Sequence, residues 1–158
     1  MAIQSFIETY STTQDTRLLD EYAQSFLNPA EIEKMIRDPK NIFLAMEVNG
    51  SFVGYSKLKP APDPNAIYAD KKTIHLERIY LLKASQSRGL GKALLAASFE
   101  EARKRGFEVA WLNVWFKNQK AIDFYNRMGF VRAGDTYFQL GTESNLNYVF
   151  AQSLTPPL

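Results

Sequence analysis

Cysteine is absent from the 158 residues, and histidine occurs once, as His75. The first absence excludes a disulfide framework, a thiolate metal site and a cysteine nucleophile. The single histidine excludes a multi-histidine zinc centre, so no metal site is expected. An excess of charge is missing too. The chain carries 19 Lys and Arg against 17 Asp and Glu, a net +2, which gives no basic field for nucleic acid. No apolar run approaches the ~18 residues of a membrane span. The opening MAIQSFIETY has neither a charged leader nor a long apolar core. The expectation is a soluble, cytoplasmic protein with no nucleic-acid or membrane partner. What is present is ordinary globular material, 46% hydrophobic and 23% charged, which suits one domain over residues 1–158 with a real core.

Along the chain the hydrophobic period changes several times. Residues 2–9 read as a short edge strand. Ser11–Gln14 supply helix-start residues, and Leu18, Leu19, Tyr22, Phe26 and Leu27 follow at helical spacing. Asn28-Pro29 opens a second helix to Arg37. Residues 41–48 and 52–58 read as strands joined by Asn49-Gly50, a hairpin signal. Residues 59–72, with three prolines, form a surface loop long enough to suggest function. Residues 73–82 are a mostly apolar strand, 91–105 a helix stopped by Gly106, 107–116 a strand and 118–128 a helix stopped by Gly129. Residues 130–140 and 146–151 are strands, and the tail from Thr155 frays. The class is α/β (α+β): a central mixed, mostly antiparallel sheet of about seven strands with helices on both faces. Its exposed strand edges leave room for a homodimer.

The chemistry centres on Ile79–Lys92, IYLLKASQSRGLGK. An apolar strand delivers a glycine-bearing turn to a helix start. The first helical N–H groups have no intrahelical acceptor and lie at the positive end of the helix dipole, so this turn is built to hold an anion. Gly89 and Gly91 leave the backbone bare, and Arg88 and Lys92 add charge. A pyrophosphate is the expected ligand. A Walker A loop is excluded, because Gln86 stands at its first glycine and Ala93 follows the lysine.

Gln86-x-x-Gly89-x-Gly91 after an apolar strand resembles the acetyl-CoA signature of GCN5-related N-acetyltransferases (GNAT). Asn118-x-x-Ala121-x-x-Phe124-Tyr125-x-x-x-Gly129-Phe130 resembles that family's closing motif, and the element order agrees from about residue 3 to 151. The resemblance implies the GNAT fold, acetyl-CoA as donor and an amine as acceptor. It implies that the pyrophosphate lies on the turn Gln86, Ser87, Arg88, Gly89, Leu90, Gly91 and Lys92. The pantetheine would pair with the strand end Ile79, Tyr80 and Leu81, and Asn118 would bond the cofactor from the far side. Asn118 also reads as a helix N-cap. Tyr125 stands at the family's general acid; from periodicity alone it is a core aromatic. Asn113 replaces a glutamate that some members carry.

An amine must lose its proton before it attacks, and Glu77, a lone carboxylate in an apolar strand, is the candidate base if burial raises its pKa. An ion pair with Arg78 or a loop lysine is the competing reading. His75 is a weaker base candidate. The runs LERIYLL and YFQLG are similar to PaiA-type polyamine acetyltransferases. That likeness implies a small polyamine acceptor; Asp15, Asp20, Glu21, Asp63 and Asp70 are candidates for an acidic mouth, with scattered solvated charges as the competing reading for each. A protein N-terminal or lysine amine is the alternative acceptor. A non-catalytic acyl-CoA-binding module is the alternative outside catalysis.

Overall fold

The computed structural model describes residues 2–10 and 15–155, so Ser11–Gln14 and residues 156–158 lie outside the described part. The helices are α1 (Ala2–Tyr10), α2 (Thr16–Phe26), α3 (Pro29–Arg37), α4 (Leu90–Lys104) and α5 (Gln119–Arg127). The strands are β1 (Ile42–Val48), β2 (Ser51–Pro60), β3 (Thr73–Leu81), β4 (Val109–Trp115), β5 (Val131–Leu140) and β6 (Glu143–Ser153). The sheet has six strands rather than about seven, because the first segment is a helix. Ile3, Phe6, Ile7 and Tyr10 fall at i, i+3, i+4 and i+7, and that stripe packs with Leu19, Ala23 and Leu27 of the α2 region.

Local chemistry sets the element ends. The Asp15 carboxylate accepts from the Arg17 N–H at 2.9 Å, and the Asn28 side chain accepts from the Glu31 N–H at 3.0 Å, so α2 and α3 are both capped. Asn49 and Gly50 have φ of 51° and 77°, the left-handed pair that a two-residue hairpin turn requires. Gly54 in β2 is required by contact: a Cβ there would lie 2.6 Å from the Tyr80 carbonyl oxygen.

The strand order is β1-β2-β3-β4-β6-β5. Every pairing is antiparallel except β3 with β4. That parallel ladder covers only Thr73–His75 against Val109–Trp111. Beyond it β3 stays with β2 and β4 stays with β6, so the two central strands part and leave a slot. The backbone edge of β3 facing that slot, from Leu76 onward, has no strand partner.

Two layers cover the sheet. α4 and α5 bury Leu95, Phe99 and Ile122 against Leu58, Ile74, Leu76 and Leu112 on one face. α1 and α2 cover the other with Phe6, Leu19 and Ala23. Loop 61–72 lies over Trp111, whose Nε1 donates to the Ala61 carbonyl at 3.0 Å.

Candidate active site

The glycine turn stands at the open end of the slot. β3 ends at Leu81, a short 3-10 turn covers Lys83–Ser85, and α4 begins at Leu90 with Gly89 as its N-cap. Gly89 has φ of 75°, a conformation that favours glycine, and a Cβ there would meet nothing within 4 Å. The space in front of it is therefore open. Ala93 donates to the Gly89 carbonyl, so the N–H groups preceding it have no helical carbonyl to bond. Arg88 and Lys92 are exposed on either side. The Gln86 side chain braces the turn: its Nε2 donates to the Leu81 carbonyl at 3.1 Å and its Oε1 accepts from Lys120 Nζ at 2.6 Å. Lys120, in the first turn of α5, is thus a third cation at the turn, which sequence reasoning missed. Its position two residues after Asn118 was the available signal.

The Asn118 Oδ1 accepts from the Ala121 N–H at 3.2 Å, so it caps α5; the cap leaves its amide donor unused. Gly91 differs from Gly89. A Cβ at residue 91 would make ordinary contacts of 3.5–3.6 Å with Leu81 and Phe124, so only Gly89 is required by backbone conformation.

A cavity of about 280 Å³ opens over the slot on the α1–α2 face. His75, Glu77, Arg78 and Tyr80 line it from β3, and Asn113 and Trp115 from β4. Asn145 and Asn147 of β6, Phe138 and Leu140 of β5, and Phe6, Tyr10, Leu19, Tyr22 and Leu27 complete it. A β-bulge decides which of these residues meet. Lys57 pairs with Arg78 and Leu58 pairs with Leu76, so Glu77 is an extra residue in β3. Strict alternation would send Glu77 and Arg78 to opposite faces. The bulge turns both into the cavity beside His75 and Tyr80, while Leu76 and Ile79 stay in the α4 core.

Glu77 does not have the raised pKa that burial alone would give. Burial does push it up, but hydrogen bonds and charge from Lys57 and Lys59 overcome this and hold it at about 2. One carboxylate oxygen is on Lys57 Nζ and the other is 2.8 Å from Lys59 Nζ. The partners of the ion pair are strand lysines of β2 rather than Arg78 or a loop lysine.

His75 is stacked on Trp111 with ring centres 3.9 Å apart and planes at 6°, and its Nε2 lies 2.9 Å from Asn113 Oδ1. Burial lowers its pKa to about 4, although Glu77 and the Asn113 bond oppose the shift. At neutral pH the ring is neutral, and with Asn113 oxygen as acceptor Nε2 carries the hydrogen.

Tyr125 packs against Phe124 and Phe130 at 5.3 and 5.4 Å, both edge-on. Burial, with a smaller contribution from the nearby Tyr10 hydroxyl, pushes its phenol well above the ordinary range, so it keeps its proton. Tyr125 packs with the α4–α5 core, and it is not among the residues that line the cavity.

The acidic mouth is corrected. Asp15 caps α2, and Asp63 is buried with its carboxylate accepting from the N–H groups of Asn65, Ile67 and Tyr68. Asp20, Glu21 and Asp70 are exposed, and none of the five lines the cavity. Helix caps and Asx turns take these short carboxylates because they bond local N–H groups well. Among the described lining residues Glu77 is the single carboxylate.

The sheet thus opens between two parallel strands, with a helix start at its mouth. The chain belongs to the acetyltransferase (GNAT) family, whose model matches residues 3–130. It is similar to an uncharacterized N-acetyltransferase in the pepI 3′ region of Lactobacillus delbrueckii subsp. lactis, 29% identical over 151 residues, covering 96% of this chain and 87% of the relative. An uncharacterized N-acetyltransferase of Mycobacterium tuberculosis is 29% identical over 133 residues, covering 84% of this chain and 80% of its own. Among solved structures, the PaiA N-acetyltransferase of Thermoplasma acidophilum in complex with coenzyme A superposes with a TM-score of 0.77 at 18% identity, covering 96% of this chain and 87% of the other. That likeness speaks for the fold alone. No helix among the described residues is long and apolar enough to cross a membrane.

Proposed function

We propose that this acetyltransferase moves the acetyl group of acetyl-CoA to the primary amine of a small molecule by direct transfer. The slot between β3 and β4 carries the reading. It places an unpaired strand edge, a helix start with unused N–H groups and a side-chain cavity in one line. The turn from Ser87 to Lys92 suits a pyrophosphate, with Arg88, Lys92 and Lys120 around it. The β3 edge at Ile79 and Tyr80 suits the amides of the pantetheine. The donor supplies an activated thioester.

In the transfer, the amine nitrogen forms a bond to the thioester carbon as the carbon–sulfur bond breaks. Neither Glu77, at about 2, nor His75, at about 4, has the pKa of a base for an ammonium. The amine therefore gives one proton to solvent water before attack. Tyr125 donates its hydroxyl proton to the leaving sulfur and recovers one from the newly formed amide nitrogen through solvent. Burial keeps that proton in place until it is needed. The support for Glu77 shifts from base to counter-charge for Lys57 and Lys59. Positioning of amine against thioester carries the rest.

The cavity size favours a small acceptor over a folded protein surface. A polyamine has weaker support, because its cations would meet a cavity whose one carboxylate is already held by two lysines. The test is thiol release from acetyl-CoA across polyamines, amino acids, simple amines and N-terminal peptides. Release with small amines supports the reading. Release with peptides alone moves the acceptor to protein, and tight CoA binding without release under any condition leaves a binding module.

A further inference from the structure

Arg78 is 8% exposed and lines the cavity. Among the described residues no carboxylate pairs with it. Its neighbour Glu77 is held by Lys57 and Lys59, and its own partners are neutral: the Tyr22 and Tyr55 hydroxyls, and the Met35 sulfur 3.6 Å from Nη1. A guanidinium buried without a counter-charge is costly, and a carboxylate received in its fork removes that cost.

Two further donors point the same way. Trp115 is 7% exposed, and among the described residues its buried Nε1 has no hydrogen-bond partner; the buried Nδ2 of Asn145 has none either. Both residues line the same cavity. A buried N–H without an acceptor is rare and marks a place where an acceptor is brought in. Among the described residues the cavity wall thus holds two unanswered N–H donors, one guanidinium without a counter-charge and a single carboxylate already in use. Its remaining walls are aromatic and aliphatic, including Phe6 and Phe138.

We propose that the acetyl acceptor is a small amine that carries a carboxylate and an apolar side chain, an amino acid in character, with Arg78, Trp115 Nε1 and Asn145 Nδ2 receiving the carboxylate. This rests on the N-acetyltransferase reading and names the substrate class for the same site. One buried guanidinium assisted by neutral N–H groups suits a planar monoanion better than a phosphate dianion.

The experiment compares amines that differ only in the carboxylate: phenylalanine with phenethylamine, leucine with isoamylamine, lysine with cadaverine. Thiol release is read for each, with phosphoethanolamine as a separate arm. The expected kcat/KM is at least about 30-fold higher for the carboxylate member of an apolar pair. Arg78→Met should bring that ratio to within about threefold while the Kd for CoA, measured by titration, is unchanged. Trp115→Phe, which keeps the ring packing, should lower the ratio by about threefold and covers the case in which Arg78→Met fails to fold. Equal rates within the pairs, a ratio that survives Arg78→Met, or a preference for phosphoethanolamine overturns the proposal. Failure of the parent reading looks different: CoA binds and no amine releases thiol. In that event N-acetylphenylalanine is titrated into the protein. Binding that Arg78→Met abolishes upholds the carboxylate site, and no binding overturns it.

Discussion

The two ends of the slot are built by different rules. The proposed cofactor end is a contiguous stretch, Gln86 to Lys92, and would work mainly through main-chain N–H groups that any sequence with the right turn would present. The cavity end draws side chains from α1, α2 and four strands, and works through their charges and buried donors. The first is tolerant of side-chain identity but not of backbone conformation. The second is the reverse. Substitutions should therefore act on CoA at one end and on the acceptor or the chemical step at the other, and this separation can be tested.

The largest effect is expected at Tyr125. Tyr125→Phe keeps the ring between Phe124 and Phe130 but removes the hydroxyl, so kcat should fall by about 100-fold or more, with CoA affinity within about twofold. A loss of CoA affinity of the same size would merge the two ends. Gly89→Glu comes next. It forces a side chain to φ of 75° and sets a negative charge in front of the helix start, so CoA should bind about 50-fold more weakly. Unchanged affinity in a titration would remove the turn from the cofactor site.

Glu77→Gln is expected to lower kcat/KM about tenfold, because Lys57 and Lys59 lose their shared counter-charge. With a pKa of about 2, Glu77 is ionised throughout pH 5–9, so any limb of the pH–rate profile between pH 6 and 8 should stay where it is. Disappearance of such a limb would restore Glu77 as the base.

The smallest effect concerns stability. His75 has a folded pKa of about 4 against an ordinary 6.5. As pH falls from 6.5 to 4, the unfolded chain takes up a proton that the folded one refuses, so stability is lost over that window. The loss is about 2–3 kcal/mol at most, from the size of the shift. Urea unfolding at pH 7 and pH 4 should show His75→Asn losing less than the parent by that amount. Equal losses would mean the ring is solvated in the folded state.

The contrast also explains what could be read in advance. Gln86-x-x-Gly89-x-Gly91 is legible because its geometry is local: a strand, a turn with a left-handed residue and a helix start are all encoded within a few positions. The two halves of the fold around it followed from period changes and from Asn49-Gly50 and Gly106. The first segment was misread as a strand although Ile3, Phe6, Ile7 and Tyr10 carried the helical spacing. A stretch of nine residues supports either period weakly, and packing on α2 decides it. The choice between an acidic mouth and scattered carboxylates is not legible, because a sequence shows their charge and not their nearest donor. Asp63 serves three N–H groups of its own loop.

By itself the sequence determined the class of the fold, the family and the left-handed glycine turn at the start of α4, because these depend on local periodicity and on backbone conformations that specific residues allow. Only the tertiary structure decided the cavity proposed for the acceptor. The parting of β3 and β4 depends on which strand each holds on its other side. The bulge at Glu77 turns two adjacent charges onto one face. Lysines some twenty residues away then lower the pKa that burial would have raised, and among the described residues Arg78 is left without a carboxylate partner. Each of these is set by distance in space, which spacing along the chain does not encode.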